Sequence, residues 1–491
     1  MNIYCIKHKY IYETEKLLML FFPLEKNNVC EEFHSDNGNY FYTEIEETDE
    51  KITFKAIFSY EGKTLSDEKI LLTDQCADKE YELLSLGYPL LRTLCGFSPE
   101  WGMLTGVRPS KLIMNKMDEA DEKSAKEYFT NHFFANEEKT ELALKVAKTE
   151  LPIIEASPEN SFSLYVSIPF CPTRCSYCSF VSHSIGSDTA KKLIPQYVDK
   201  LCEEVAVTAK KAEENGLVLT NVYWGGGTPT SLEAPQLDKI LTAIEDSFDL
   251  SVCGEYTVEA GRPDTITEEK LDVLKKHNVN RISINPQTFS DDVLKNIGRC
   301  HSAGLTEEKY ILAREKGFDF INMDLIAGLP GDDYEGFVKS IDKAISLGAE
   351  NITVHTLALK RSSTIVTENE SDSVNSQSIA KMLEYAKTVL TENGYIPYYM
   401  YRQSKALGNF ENVGWCKPGK ECKYNILMME EYQHILSVGA GSVTKLLSPG
   451  IEKIERVFNF KFPFEYISRF SLILEKKERI SGFFSEYSVT K

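Results

Sequence analysis

An α/β fold built on a partial (β/α)6 barrel is predicted by three observations. Short apolar runs alternate with longer helical segments between residues 161 and 360. The connections between them are short, as a parallel sheet covered by helices requires. Polar and glycine residues recur where the apolar runs end, on the rim where such folds build their sites. Three regions follow from this: 1–155 as an α+β accessory domain, 156–360 as the barrel core, and 361–491 as a mostly helical region covering the substrate.

In the first region, Tyr40–Ile45 and Ile52–Ser59 read as strands, and Glu80–Leu94, Glu122–Phe134 and Glu138–Lys148 as helices. The stretch Trp101–Lys111 (WGMLTGVRPSK) reads either as a turn with a packed Trp or as an anion-contacting lid using Arg108 and Lys111. Leu151–Asn160, with two prolines and several polar residues, reads as a linker. The barrel strands are expected at Ser163–Ile168, Thr220–Trp224, Glu255–Glu259, Arg281–Ile284, Phe318–Asp324 and Asn351–His355. Helices are expected between them at Ala190–Asn215, Pro235–Phe248, Glu268–His277, Thr306–Lys316 and Tyr334–Leu347. Beyond, Arg361–Gln377 is polar and loop-like, Ser378–Glu392 helical, Tyr395–Tyr401 rich in aromatics, and the remainder a mixture of helical patterns.

Composition narrows the function. With 491 residues and 42% hydrophobic content the chain holds two or three domains with sizeable cores. A formal charge of −19 argues against broad nucleic-acid binding, which needs a basic face. Leu17–Leu24, a short and charge-flanked apolar run, is no membrane span, and the N-terminus lacks a signal-peptide pattern. Twelve cysteines in so long a chain suit a reducing cytoplasm.

Three of those cysteines sit in the stretch YVSIPFCPTRCSYCSF, where Cys171, Cys175 and Cys178 follow the first barrel strand with the spacing CxxxCxxC. Three thiolates hold three irons of a four-iron cluster and leave the fourth open to a ligand. Structural zinc is the competing reading; it needs a second close pair, and Cys416 with Cys422 is a poor one. Gly225-Gly-Gly-Thr-Pro-Thr230 follows the second strand, where glycines let backbone N–H groups approach a ligand; with Pro229 in place of Lys it is not a Walker loop. His183, His301 and His355 lack metal-ligand spacing and read as ordinary packed or polar residues.

Taken with Val258-Glu259-Ala-Gly, Asn285-Pro-Gln287-Thr-Phe, Gly298-Arg299 and Met323-Asp324-Leu-Ile-Ala-Gly-Leu-Pro330, these motifs resemble the radical S-adenosylmethionine (SAM) superfamily. More narrowly, the chain resembles the oxygen-independent coproporphyrinogen III oxidase (coproporphyrinogen dehydrogenase) family. The WGMLTGVRPSK loop and Glu411-Asn-Val-Gly-Trp-Cys-Lys-Pro-Gly-Lys-Glu-Cys422 are most similar to its HemZ branch. The resemblance implies a [4Fe-4S] cluster on Cys171, Cys175 and Cys178, and one or two bound SAM molecules. Tyr165, Gly226 and Glu259 match contacts to the first SAM, with Val443 as its adenine contact. Tyr177, Gly227, Thr228, Gln287, Arg299, Asp324 and Ala358 match a second SAM site.

The activity implied is a cluster-driven cleavage of SAM to a 5′-deoxyadenosyl radical, which abstracts hydrogen from the β-carbon of a porphyrinogen propionate; carbon dioxide leaves, one more electron is removed to an acceptor, and a vinyl group results. A tetrapyrrole substrate and a low-potential electron donor such as flavodoxin or ferredoxin are the implied partners. Arg108, Lys111, Arg361 and Arg402 are candidates to meet the propionates. Two departures keep a haem-binding or haem-transfer protein as the alternative: Phe180 stands where the oxidase has a further cysteine, and the N-terminal domain is unlike the oxidase's short arm.

Overall fold

The computed structural model describes residues 1–23, 25–30, 32–33, 38–180, 182–358, 376–403, 406–451 and 453–488. Arg361 and most of the polar stretch after it lie outside the described residues. The chain divides into two compact units, Met1–Lys145 with Arg402–Glu411, and Val146–Tyr401 with Asn412–Lys491.

The first unit carries a five-stranded sheet in the order β2-β1-β3-β4-β5, from Asn2–Ile6 (β1), Asn28–Cys30 (β2), Tyr40–Glu47 (β3), Lys51–Tyr60 (β4) and Lys63–Leu72 (β5). Alternation builds it: Ile52, Phe54, Ala56 and Phe58 of β4 are all fully buried on one face. That face packs with Leu17, Leu18 and Phe21 of the helix Ile11–Phe21 and with Leu83, Tyr88 and Leu91 of the helix Lys79–Cys95. Asp78 caps the second helix by accepting from the Tyr81 N–H at 3.0 Å, and Gly96, at φ +73°, ends it.

Arg402 and Glu411, far along the chain, complete this unit. The Arg402 guanidinium donates to the carbonyls of Leu104, Gly106 and Asn409, and its backbone N–H to Val107 at 2.8 Å. Glu411 accepts from the Trp101 indole at 2.8 Å and pairs with Lys139 at 2.5 Å. Within WGMLTGVRPSK, Trp101 to Leu104 is a packed turn held through its Leu104 carbonyl by Arg402, with Trp101 1% exposed, while Thr105 to Val107 are exposed. The expectation that Arg402 meets a substrate propionate fails, because its donors are already committed to main-chain carbonyls. Arg108 precedes, and Lys111 lies in the first turn of, the helix Pro109–Glu119.

The second unit is built on an eleven-stranded sheet. Its centre is six parallel strands in chain order: Ser161–Ile168 (β6), Val218–Gly226 (β9), Glu255–Glu259 (β10), Arg281–Ser283 (β11), Ile321–Ala327 (β12) and Asn351–Thr356 (β13). Two short strands, Phe170–Cys171 (β7) and His183–Ser184 (β8), pair apart from it. Ile396–Arg402 (β14) and Glu411–Cys416 (β15) extend one edge; His434–Val438 (β16), Val443–Leu447 (β17) and Ile454–Phe458 (β18) extend the other, β16 parallel to β6. The C-terminal region has more helix than strand, yet it supplies these five strands, which the sequence patterns did not single out.

The helix Glu137–Glu155 runs through half of the expected linker. Pro152 removes one main-chain donor, but Ile153 and Ile154 pack against the aromatic cluster of Tyr398, Tyr399 and Tyr424, and that burial holds the last turn.

The N-terminal ends of the strands are closed by the segment from Cys416 to Tyr424. Arg281 donates to Asn351 at 2.6 Å and to the carbonyls of Lys420 and Glu421 at 3.0 and 2.9 Å. Glu255 accepts from the Lys423 and Tyr424 N–H groups at 2.8 and 3.1 Å, at the start of the helix Lys423–Glu430. Polar matches at this end of such a barrel serve stability rather than chemistry. Cys416 and Cys422 are buried in this plug, at the end of the strands opposite the cysteine loop, and the Cys422 thiol donates to Glu255 at 3.2 Å.

Candidate active site

The opposite rim gathers the residues singled out from the sequence. Strand β6 ends at Ile168, and the chain turns through β7 into the cysteine loop. Cys175 is buried, and Cys171 and Cys178 are half-buried. The loop is seated on the Ile297–Arg299 turn: Ser176 N–H donates to Ile297 at 3.1 Å, and the Thr173 hydroxyl to Gly298 at 2.9 Å. Gly298 has φ +77°, and a Cβ there would stand 3.3 Å from the Arg174 carbonyl.

Two buried guanidinium groups brace the loop. Arg262 forms a two-pronged pair with Asp264 at 3.0 Å, donates to the Thr173 hydroxyl at 3.1 Å, and reaches the Cys175 Sγ at 3.8 Å. Arg299 donates to the carbonyls of Asn285 and Gly261 at 2.7 and 3.2 Å and to the Tyr177 hydroxyl at 3.0 Å, while its Nε has no partner. Burial pushes the Cys171 thiol up, opposed first by hydrogen bonds with Thr228 and Ser182 and least by Arg262; burial likewise raises Cys178, opposed first by the Phe180 backbone and least by Arg299. Fixed positive charge beside sulfur favours the thiolate form that metals bind. His301, beside both guanidinium groups, is held neutral, its pKa lowered to about 3 by burial and by Arg299 and Arg262.

The glycine run at the end of β9 is a close-packing device. The N–H groups of Gly227 and Thr228 donate to Ile168 and Phe170 at 2.8 and 2.7 Å, so they are spent on the cysteine-loop strand and not left for a ligand. A Cβ on Gly227 would lie 2.6 Å from the Phe170 carbonyl and 3.0 Å from Cys171 Sγ. Gly226, at φ +103°, lies against Ser167. Gly225 faces inward, and a Cβ there would come within 3.1 Å of the Tyr165 hydroxyl and 3.3 Å of the Glu259 carboxylate. Gly225 is thus packed directly against a phenol and a carboxylate.

Glu259, at the end of β10, accepts from the Tyr223 hydroxyl at 2.6 Å. Burial, with a smaller push from Asp324, raises its pKa to about 7 in spite of that bond. Tyr165, Tyr223 and Tyr424 form a parallel stack behind it, with Tyr223 and Tyr424 centroids 4.3 Å apart. Asp324 lies on β12, where Asn322 donates to it at 2.7 Å and His355 stands 3.8 Å away. Burial would raise the Asp324 carboxyl, but His355, Asn322 and Thr353 hold it below the usual carboxylate range. Gln287 adopts a left-handed φ of +68°, with its N–H on Asp324 O at 2.9 Å and its carbonyl accepting from Ile326 at 3.0 Å. Non-glycine residues take that conformation at a cost and concentrate at ligand sites. Ala358 follows β13, half-buried, and Val443 opens β17.

Residues 165–344 match the family model described as Radical SAM superfamily. "Oxygen-independent coproporphyrinogen-III oxidase-like protein HemZ" of Bacillus subtilis (strain 168) is 36% identical over 443 residues, covering 88% of this chain and 88% of that one. The chain belongs to the HemZ-like branch of the radical SAM superfamily. "Heme chaperone HemW" of the same organism is 32% identical over 57% of this chain and 70% of its own length. Among solved structures, "Coproporphyrinogen III oxidase (HemN) from Escherichia coli is a Radical SAM enzyme" is 24% identical with a TM-score of 0.48, covering 61% of this chain and 67% of that one.

Radical SAM proteins of this kind use a [4Fe-4S] cluster and SAM. The HemZ-like rim fits both: three thiols with two guanidinium groups beside them, and the half-buried Glu259 carboxylate of raised pKa against Gly225 and Tyr165. Among the described residues no three His, Cys, Asp or Glu side chains are drawn together around a single ion.

Three contributors in this HemZ-like protein escaped the sequence reading. Arg262 directly follows the Glu259-Ala-Gly261 motif, and its adjacency was the one available signal. Tyr223 was hidden inside a strand pattern. Glu204, fully buried in the helix Asp188–Glu214, is a hub: it accepts from Gly439 N–H at 2.7 Å, Tyr466 at 2.5 Å and Asn459 at 2.7 Å, and pairs with Lys477 at 2.9 Å. Tyr197 donates to Ser167 O and accepts from Ala440 N–H, both at 2.8 Å, and the Ser167 hydroxyl donates to Ala440 O at 2.8 Å. The Gly439–Val443 loop is thereby tied to the strand that carries Gly226's neighbour. Glu204→Ala leaves Lys477 buried without its partner and should cost about 3–5 kcal/mol of folding stability, read as a lower midpoint in urea unfolding; an unchanged midpoint would remove Glu204 from this role.

Proposed function

We propose that this protein is a radical SAM oxidoreductase that decarboxylates coproporphyrinogen III, turning two propionates into vinyl groups of protoporphyrinogen IX. Cys171, Cys175 and Cys178 ligate the cluster in this reading. When bound, the cluster and SAM supply the one-electron chemistry that removes hydrogen from an otherwise inert carbon. The chain's own residues bind and orient. Glu259 accepts from the SAM ammonium, gaining a charge-assisted bond in place of the proton that burial otherwise imposes. Tyr165 and Gly226 border the same molecule, with Val443 at the adenine. Gln287, Arg299 and Asp324, together with Tyr177, Gly227, Thr228 and Ala358, border a second ligand position.

The observation that most supports this reading is the placement of the cysteine loop and half-buried Glu259 at the C-terminal ends of β6 and β10, with half-buried Asp324 within β12. Phe180 favours a second reading, a haem-transfer protein. It stands where the oxidase family, by resemblance, has a further cysteine, and the 32% identical relative of Bacillus subtilis is named a heme chaperone. Anaerobic turnover of reconstituted protein with coproporphyrinogen III, SAM and a reductant decides between them. Vinyl product supports the decarboxylase; stoichiometric haem uptake without product supports the carrier and overturns the decarboxylase.

A further inference from the structure

We infer that the aromatic and basic patch formed by Phe462, Phe464, Lys461 and Arg469, beside the cysteine loop, is the docking site for an acidic one-electron carrier protein of the flavodoxin type. The inference rests on reading the three cysteines as cluster ligands. Strand β8 pairs with β7 so that Ser184 lies opposite Cys171, and the Ile185 N–H donates to Cys171 O at 3.0 Å. The neighbouring His183 ring meets Phe462 edge-on at 6.3 Å. Phe462 stacks on Phe464 at 5.7 Å, and both remain exposed, at 37% and 50%. Phe180, on the cysteine loop itself, is 60% exposed.

The segment carrying these rings is pinned. Gly441 N–H donates to Phe460 O at 2.8 Å and Asn459 N–H to Ser442 O at 3.1 Å. Arg469 and Lys476 lie over the Phe460 ring at 4.2 and 4.5 Å, and Lys461 is exposed beside it. Among the described residues Lys461, Arg469 and Lys476 have no carboxylate partner. Exposed Lys461 and Arg469, with half-buried Lys476, thus place unpaired positive charge in the same segment as the exposed Phe462 and Phe464 rings, on a chain of net charge −19. An acidic protein is repelled by most of such a surface and drawn to this spot, where aromatic rings supply the desolvated contact. In the transfer one electron leaves the carrier and enters the cluster, and no bond or proton moves with it.

The test compares wild type, Lys461→Glu/Arg469→Glu and Phe464→Ala, all with reconstituted clusters and matching melting curves. Reduction of the cluster by reduced flavodoxin is followed by stopped flow, and the Kd for oxidised flavodoxin by calorimetry. At low ionic strength the charge-reversed protein should react about tenfold more slowly and bind about tenfold more weakly, with the difference fading at high salt. Phe464→Ala should weaken binding at every salt concentration. Reduction by dithionite should be equal in all three. Flavodoxin kinetics and affinity unchanged in both variants overturn the docking site alone. A wild-type protein that dithionite leaves unreduced overturns the cluster assignment and the docking site with it.

Discussion

Cys175→Ala protein, reconstituted with iron and sulfide under anaerobic conditions, is expected to carry no four-iron cluster and to bind SAM no more than weakly. Cys175 is the buried member of the trio, the one whose Sγ lies 3.8 Å from the Arg262 guanidinium. Two thiolates cannot hold three irons. Thr173 and Thr228 offer only hydroxyls, and His301 is turned into a buried, neutral position among cations. Cys300→Ala is the matched control. It removes the exposed thiol that follows Arg299 and should leave iron and sulfide content unchanged. Loss of the cluster from the control, or its retention in Cys175→Ala, refutes the ligand assignment.

Glu259→Gln is expected to separate stability from ligand binding. The carboxyl has a folded-state pKa of about 7, above its value in an unfolded chain, because burial disfavours the charge. Its stabilising contribution is therefore complete below the unfolded pKa and disappears as pH rises through about 7. At pH 8 the ligand-free protein carries a buried charge costing on the order of 3 kcal/mol. Gln keeps the bond from Tyr223 without the charge, so the ligand-free variant should melt higher than wild type at pH 8 and nearly the same at pH 5. SAM affinity moves the other way. Losing a charge-assisted bond to the ammonium should weaken it by about 10- to 100-fold. Differential scanning fluorimetry at the two pH values and calorimetric titration of SAM measure both effects. A variant that binds SAM like wild type would show that Glu259 serves the tyrosine stack and not the ligand.

The cysteine loop and its strand were legible because both are short-range features: CxxxCxxC is contiguous, and β6 delivers it directly. The six-strand alternation was legible for the same reason, although β12 begins three residues later than its apolar run suggested, because Phe318 is buried in the preceding turn. Arg299 shows where legibility stopped. The motif marked its position, but its bonds to Gly261, Asn285 and Tyr177 join three segments scattered over more than a hundred residues. Arg402 shows the opposite error, since a cation read as a substrate contact proved to be a clamp on main-chain carbonyls.

By itself the sequence determined the α/β class, the order of the barrel strands and the place of the three thiols. These depend on periodicity and spacing along a few residues. Only the tertiary structure decided that Glu204 and Lys477 are buried together, that the last third of the chain adds strands to both sheet edges, and that Glu255 and Arg281 seal the far end. Each is a polar group whose burial depends on a partner distant along the chain, and a polar residue looks the same in sequence whether it meets water or that partner.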